Sequence, residues 1–156
     1  MIKIDVFVQE KKWKKYIVSP QKYLKNKAKK IRNLIPLLKN KKVVFSVLLT
    51  GNEGIKNLNR KFRNKNKTTD VLSFPFYQKE ELKKNIRKNK DTYLGDIILN
   101  YYKIHKLKKK GFIYQFNKLW VHGLLHLIGH KHYKNKDFHK MRKLENQILN
   151  KIQNIK

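Results

Sequence analysis

The chain has 156 residues, 40% of them hydrophobic, with 40 Lys and Arg against 10 Asp and Glu for a net charge of +30, and it contains no cysteine. This length and apolar content suit one folded domain, 1–156, around a single core. The lack of cysteine excludes disulfides and every Cys-containing zinc site, and no apolar run approaches the ~18 residues of a membrane helix. The charge favours a polyanionic partner, nucleic acid ahead of an anionic membrane; the competing explanation is a compositional drift toward Lys, in a chain also rich in Asn and Ile, which would account for much of the excess. Met1–Val6 offers no long apolar segment of the kind that opens a secretory leader, so a soluble cytoplasmic protein is expected.

Ile2–Val8 alternates apolar and polar residues, the period of a half-buried strand. Ser19 and Pro20 mark a helix start, and Tyr23, Leu24, Ala28, Ile31, Leu34 and Ile35 extend its apolar face to Leu38, with Pro36 near the end. Val43–Leu49 reads as a buried strand from its β-branched content. Thr50–Asn52 turns into a short helix, Glu53 to Phe62, packed through Ile55 and Leu58. A polar loop at 65–69 feeds a third strand, Asp70–Phe74, ended by Pro75. Residues 77–91 are mostly Lys, Glu and Asn and read as an exposed loop. Thr92–Leu99 forms a fourth strand interrupted at Gly95-Asp96, followed by a short helix from Tyr101 to Lys110 that Gly111 stops. A helix from Ile113 buries Phe116, Leu119, Trp120 and Leu127. A last helix, Asp137–Ile152, carries Met141, Leu144, Ile148 and Leu149 at helical spacing. These elements predict an α+β fold: a small mixed four-stranded sheet covered by about five helices, with a zinc site on a late helix.

That site is predicted from histidine spacing. Four of the six histidines fall within residues 121–132. His122 and His126, four apart, share one face of a helix one turn from each other and are able to hold one metal ion from the same side. His130 continues the stripe but would lie roughly 12 Å along the axis from His122 at about 1.5 Å per residue, too far for the same ion. Gly129 supplies a left-handed helix end, and His132, beyond it, is free to return. The expected ligands are therefore His122, His126 and His132, with His130 outside the coordination sphere. Three ligands leave a position for water, as in catalytic sites. Zinc suits the ligands, as do copper, nickel and iron. The His-Glu-x-x-His metalloproteases place a general base directly after the first histidine; here that position is Gly123, which disfavours peptide hydrolysis.

Three segments carry a family resemblance. Leu58–Pro75 contains Leu58-Asn59, Phe62-Arg63 and Thr69-Asp70-Val71-Leu72-Ser73-Phe74-Pro75. Leu94-Gly95-Asp96-Ile97 follows, and then His122-Gly123-x-Leu125-His126-Leu127-x-Gly129-x-x-His132. In kind and order these motifs resemble those of the YbeY endoribonucleases, over roughly residues 40–150. The resemblance implies a zinc-dependent, single-strand-specific endoribonuclease acting in 16S rRNA 3′-end maturation and ribosome quality control. It further implies one zinc ion per chain on His122, His126 and His132, with Arg63 as the catalytic basic residue. Single-stranded RNA, an rRNA precursor and the small ribosomal subunit would be the partners, with no membrane and no small-molecule cofactor. Three positions depart from the family pattern: Phe62 and His130 each replace a Tyr, and Lys131 replaces an Asp beside the third ligand. Asp70 and Asp96 could orient a ligand or move a proton, but serve equally well as turn caps. The competing reading is a non-catalytic rRNA-binding assembly factor with structural zinc.

Overall fold

The computed structural model describes residues 1–88, 91–131 and 134–153. Among the described residues, four strands and five α-helices follow in the order β1 (Ile2–Val8), α1 (Pro20–Ile31), β2 (Val43–Thr50), α2 (Asn52–Arg63), β3 (Val71–Pro75), α3 (Lys79–Lys88), β4 (Thr92–Asn100), α4 (Lys109–Leu127) and α5 (Asn135–Gln153). The sheet order is β1-β2-β4-β3, with β1, β2 and β4 parallel and β3 antiparallel at the edge. This is the expected α+β architecture.

Strand alternation decides what each face meets. Val43, Phe45, Val47 and Leu49 of β2 are all buried in the main core, with Leu24 and Ala28 of α1 and with Phe116, Trp120 and Leu124 of α4. On the opposite face Ile55 of α2 packs with Leu72 and Ile98 in a smaller cluster flanked by Leu48 and Leu58. The helices α1 and α4 thus bury one side of the sheet, with α5 packed against both of them, while α2 covers part of the other side. The expected interruption of β4 takes the form of a bulge: Val44 pairs with Tyr93 but Ser46 with Asp96, so β4 carries one extra residue, next to Gly95 at φ +130°.

Three expectations are corrected. Residues 77–91 contain a helix, α3, whose Leu82 and Ile86 are 1% and 3% exposed and belong to the main core. Two apolar residues four apart suffice to bury a short helix, and Glu80 and Glu81 at its start with Arg87 and Lys88 at its end complement the helix dipole. The helix expected over 20–38 stops at Ile31 and continues as two 3-10 turns, Arg32–Leu34 and Pro36–Leu38. Pro36 disfavours helical geometry at the residue before it, and Ile35 is extended at φ −107°, ψ 101°. The helix expected over 101–110 is only a 3-10 turn, Tyr101–Lys103, and α4 begins at Lys109 with Gly111 inside its first turn.

Candidate active site

The site begins with the end of α4. Gly129 has φ +94°, its N–H donates to the His126 carbonyl, and the His130 N–H reaches back to the Leu125 carbonyl. This pair of bonds is the Schellman arrangement, which ends a helix on a left-handed residue. The sequence reading of Gly129 is borne out, and the turn has a chemical consequence. It brings the His130 carbonyl to 2.8 Å from His126 Nδ1.

His122 is anchored differently. Its Nδ1 lies 3.1 Å from Oε1 of Glu145, a carboxylate on α5 that is only 8% exposed. A carbonyl and a carboxylate are both acceptors, so each ring donates its Nδ1–H and keeps its lone pair at Nε2. The two Nε2 atoms face each other at 3.0 Å. That contact is attractive only with a proton or a metal cation between the lone pairs. Two nitrogens at about 2.0–2.1 Å from one tetrahedral ion are about 3.3 Å apart, close to the spacing found. The outward N–H bonds to a carboxylate and a carbonyl are the partners that metal-bound imidazoles usually have. The donor set therefore fits a borderline transition metal such as zinc. His132, the third expected ligand, lies outside the described residues.

Glu145 was not singled out from sequence, although a signal was present. It occupies the same face of α5 as Met141, Ile148, Leu149 and Ile152, all buried. An acidic residue on an apolar stripe, in a chain with only 10 acids, needs a buried partner.

Arg63 is the last residue of α2, where a cation complements the helix dipole. Its Nη2 donates to the Ser73 carbonyl of the edge strand β3 at 3.1 Å, and its guanidinium lies over the Phe74 ring. Arg63, Val71, Ser73 and Pro75 line one cavity of about 400 Å³ together with His122 and His126. The structure thus unites Arg63 with two of the three expected ligands, although 59 positions separate Arg63 from His122 in the chain. His130 and Lys131 line the same cavity. Burial lowers the His130 pKa below 6.5, reinforced by Lys79 and opposed by Asp137, so its ring favours the neutral form.

The two aspartates do not join this cavity. Asp70 Oδ1 accepts from the Val71 N–H and the Thr69 hydroxyl, the capping arrangement. Asp96 accepts from the hydroxyls of Tyr93 and Ser46 and lines a separate apolar recess with Phe7 and Phe62. Gly123 also has a structural explanation. A Cβ there would sit 2.7 Å from Cγ2 of Ile97, so the position after His122 faces the sheet and has no room for a base.

The fold and the paired histidines beside an arginine define a class: an α+β protein with a helix-borne candidate metal site. Over its full length the fold is similar to a solution structure from Thermotoga maritima, with a TM-score of 0.56 and 22% identity, covering 99% of this chain and 90% of that one. The family model for Endoribonuclease YbeY matches residues 7–153, and the chain belongs to that family. An endoribonuclease YbeY from Pelagibacter ubique is 42% identical over 152 residues, 95% of this chain and 94% of the relative. One from Bartonella henselae is 31% identical, covering 97% and 94%, and one from Thermodesulfovibrio yellowstonii is 36% identical, covering 70% and 67%. Among the described residues no helix is long and apolar enough to cross a membrane.

Proposed function

We propose that this chain is a zinc-dependent endoribonuclease that cleaves single-stranded RNA. The observation that carries the reading is the cavity itself, in which the facing Nε2 atoms of His122 and His126 share walls with Arg63. His122, His126 and His132 would hold one zinc ion. Bound there, zinc would supply Lewis acidity toward a phosphoryl oxygen and acidify a water. The chain's own residues do the remaining work. Glu145 and the His130 carbonyl fix both imidazoles in the tautomer that presents Nε2. Arg63 keeps one N–H on Ser73 and offers the rest of its planar fork to a phosphate, where charge grows in the transition state. The natural substrate is an rRNA precursor at the small ribosomal subunit, cleaved near the 16S 3′ end in the cytoplasm, with the whole chain, 1–156, as one catalytic unit. A role in ribosome quality control follows from the same activity.

A purely structural zinc site in an RNA-binding assembly factor would have no use for an open cavity of this size beside an arginine. The test is RNA cleavage by the parent, His122→Ala and Arg63→Ala at equal folded fraction, with metal content measured in each. Both variants should lose most cleavage, Arg63→Ala with its metal and Tm retained. Arg63→Lys should recover only part, because a point charge lacks the fork. Undiminished cleavage in both alanine variants overturns the reading.

A further inference from the structure

A second groove continues the walls of the histidine cavity. Val71 lines the first cavity and the preceding Thr68, Thr69 and Asp70 line the second. On α4, His122 and His126 line the first and Gln115 the second. Gln115 and His122 are two turns apart on one helix face, about 10 Å at 1.5 Å per residue. The groove has a volume of about 540 Å³, and its other side is formed by Tyr102 and Lys103 of the 3-10 turn after β4 and by His105 and Lys106 of the segment that follows it.

This groove is built, and its chemistry has a sign. The Thr69 carbonyl is held by Nδ2 of Asn100, which is fully buried, and the Lys67 carbonyl by Nδ2 of buried Asn59. The wall carrying the threonines is therefore pinned from beneath. The acidic lining residue, Asp70, has its carboxylate engaged by the Val71 N–H and the Thr69 hydroxyl. Lys103 and Lys106 are exposed, as polyphosphate contacts must be. The Tyr102 ring is steadied by its phenol bonds to Glu10 and Lys12, giving a flat surface for a base. His105 places Nδ1 on the Tyr102 carbonyl at 2.8 Å, so Nε2 is left as an acceptor of the kind a ribose 2′-hydroxyl meets.

We propose that this groove is a second RNA subsite, which holds the substrate strand beyond the scissile bond through phosphate contacts from Lys103 and Lys106. The proposal rests on the endoribonuclease reading and gives it a path: the strand runs along α4, from the histidines toward Gln115. The charge of the chain is then partly focused and not wholly diffuse.

Binding of a fluorescein-labelled single-stranded oligouridylate by fluorescence anisotropy across salt concentrations tests this without requiring cleavage. The Lys103→Ala/Lys106→Ala protein is compared with the parent and with Lys25→Ala/Lys29→Ala, which removes two exposed lysines from α1. Each single-strand phosphate contact contributes a slope of about −0.7 in log K against log salt, so losing two should flatten the slope by about 1.4. The α1 pair should leave it nearly unchanged. Equal losses from both pairs, or no loss from the groove pair, overturn the proposal. In cleavage assays the groove variant should raise KM for a long RNA, keep kcat, and leave a dinucleotide substrate unaffected. A parent that binds with the expected groove dependence but cuts no RNA sinks the catalytic reading and not the groove.

Discussion

Helix α4 carries two polar clusters against α-helical neighbours, and they are built to opposite ends. At its middle, Asn117 is fully buried; its Oδ1 accepts from Trp120 Nε1 at 3.0 Å, and its Nδ2 donates to the Tyr23 hydroxyl of α1 at 2.9 Å. Every donor there meets an acceptor, so the cluster closes on itself and locks α1 to α4. One turn further on, His122 and His126 are anchored just as firmly at Nδ1, yet their Nε2 lone pairs are turned toward each other beside a cavity. A satisfied buried network supports the fold. A network whose anchors force two lone pairs together needs a cation to complete it. Both clusters are polar and sit on one helix, the asparagine fully buried and the histidines half-buried; the arrangement of acceptors separates them.

The sharpest way to break this comparison is to remove one imidazole. His126→Ala should abolish stoichiometric metal, as should His122→Ala and His132→Ala, while His130→Ala keeps about one equivalent because its backbone carbonyl, not its ring, anchors His126. Metal analysis of protein purified without a histidine tag decides it. Loss of metal in His130→Ala with retention in His132→Ala would reverse the ligand assignment.

Asn117→Ala should show the converse behaviour. It strands the Trp120 N–H and removes the Tyr23 partner, each unsatisfied group costing about 1–3 kcal/mol. Denaturant unfolding should record a loss of about 3 kcal/mol by the same reckoning, with metal stoichiometry unchanged in the folded fraction. A metal loss parallel to the stability loss would mean that the two clusters form one unit.

Glu145→Gln probes the anchor and not the ligand. Replacing such partners lowers metal affinity by about 10–100-fold, and competition with a chelator of known affinity should report a decrease in that range. Unchanged affinity would reduce Glu145 to a buried ion-pair partner with no influence on the metal.

Sequence spacing revealed the helix face of His122 and His126, and Gly129 revealed where the helix ends, because both follow from local geometry that 3.6 residues per turn and a positive φ impose. Arg63 was legible through the family motif alone; nothing local says that the end of α2 meets the edge strand beside α4. Glu145 required knowing which face of α5 packs on α4, a tertiary fact that only its place on an apolar stripe foreshadows. Helix α3 was lost in its own surface, since eight of its ten residues are polar or charged and only Leu82 and Ile86 turn inward. The groove at Lys103 and Lys106 was hidden for a different reason: the basic run at 106–110 is visible beside the histidine helix, but in a chain with 40 cations such a run marks no site until the fold gives it a wall to share.

The smallest expected effect lies in the closed cluster and depends on pH. Tyr23 is largely buried, and that burial raises its phenol pKa above the ordinary 10.0, while the hydrogen bond to Asn117 acts in the opposite direction. A group whose folded pKa is raised keeps its proton in the native state where the unfolded chain has released it. Its stabilising contribution is complete below pH 10, and it is lost as pH rises from there through the folded pKa. Tyr23→Phe removes one neutral hydrogen bond, worth about 0.5–1.5 kcal/mol, and removes the titrating group with it. Near neutral pH the variant should therefore be slightly less stable than the parent. Above pH 10 the parent's stability should fall more steeply than the variant's, so that the gap between them narrows. Denaturant midpoints measured for both proteins from pH 8 to pH 11 test this, and a gap that widens with pH would show that the phenol is not held neutral by its burial.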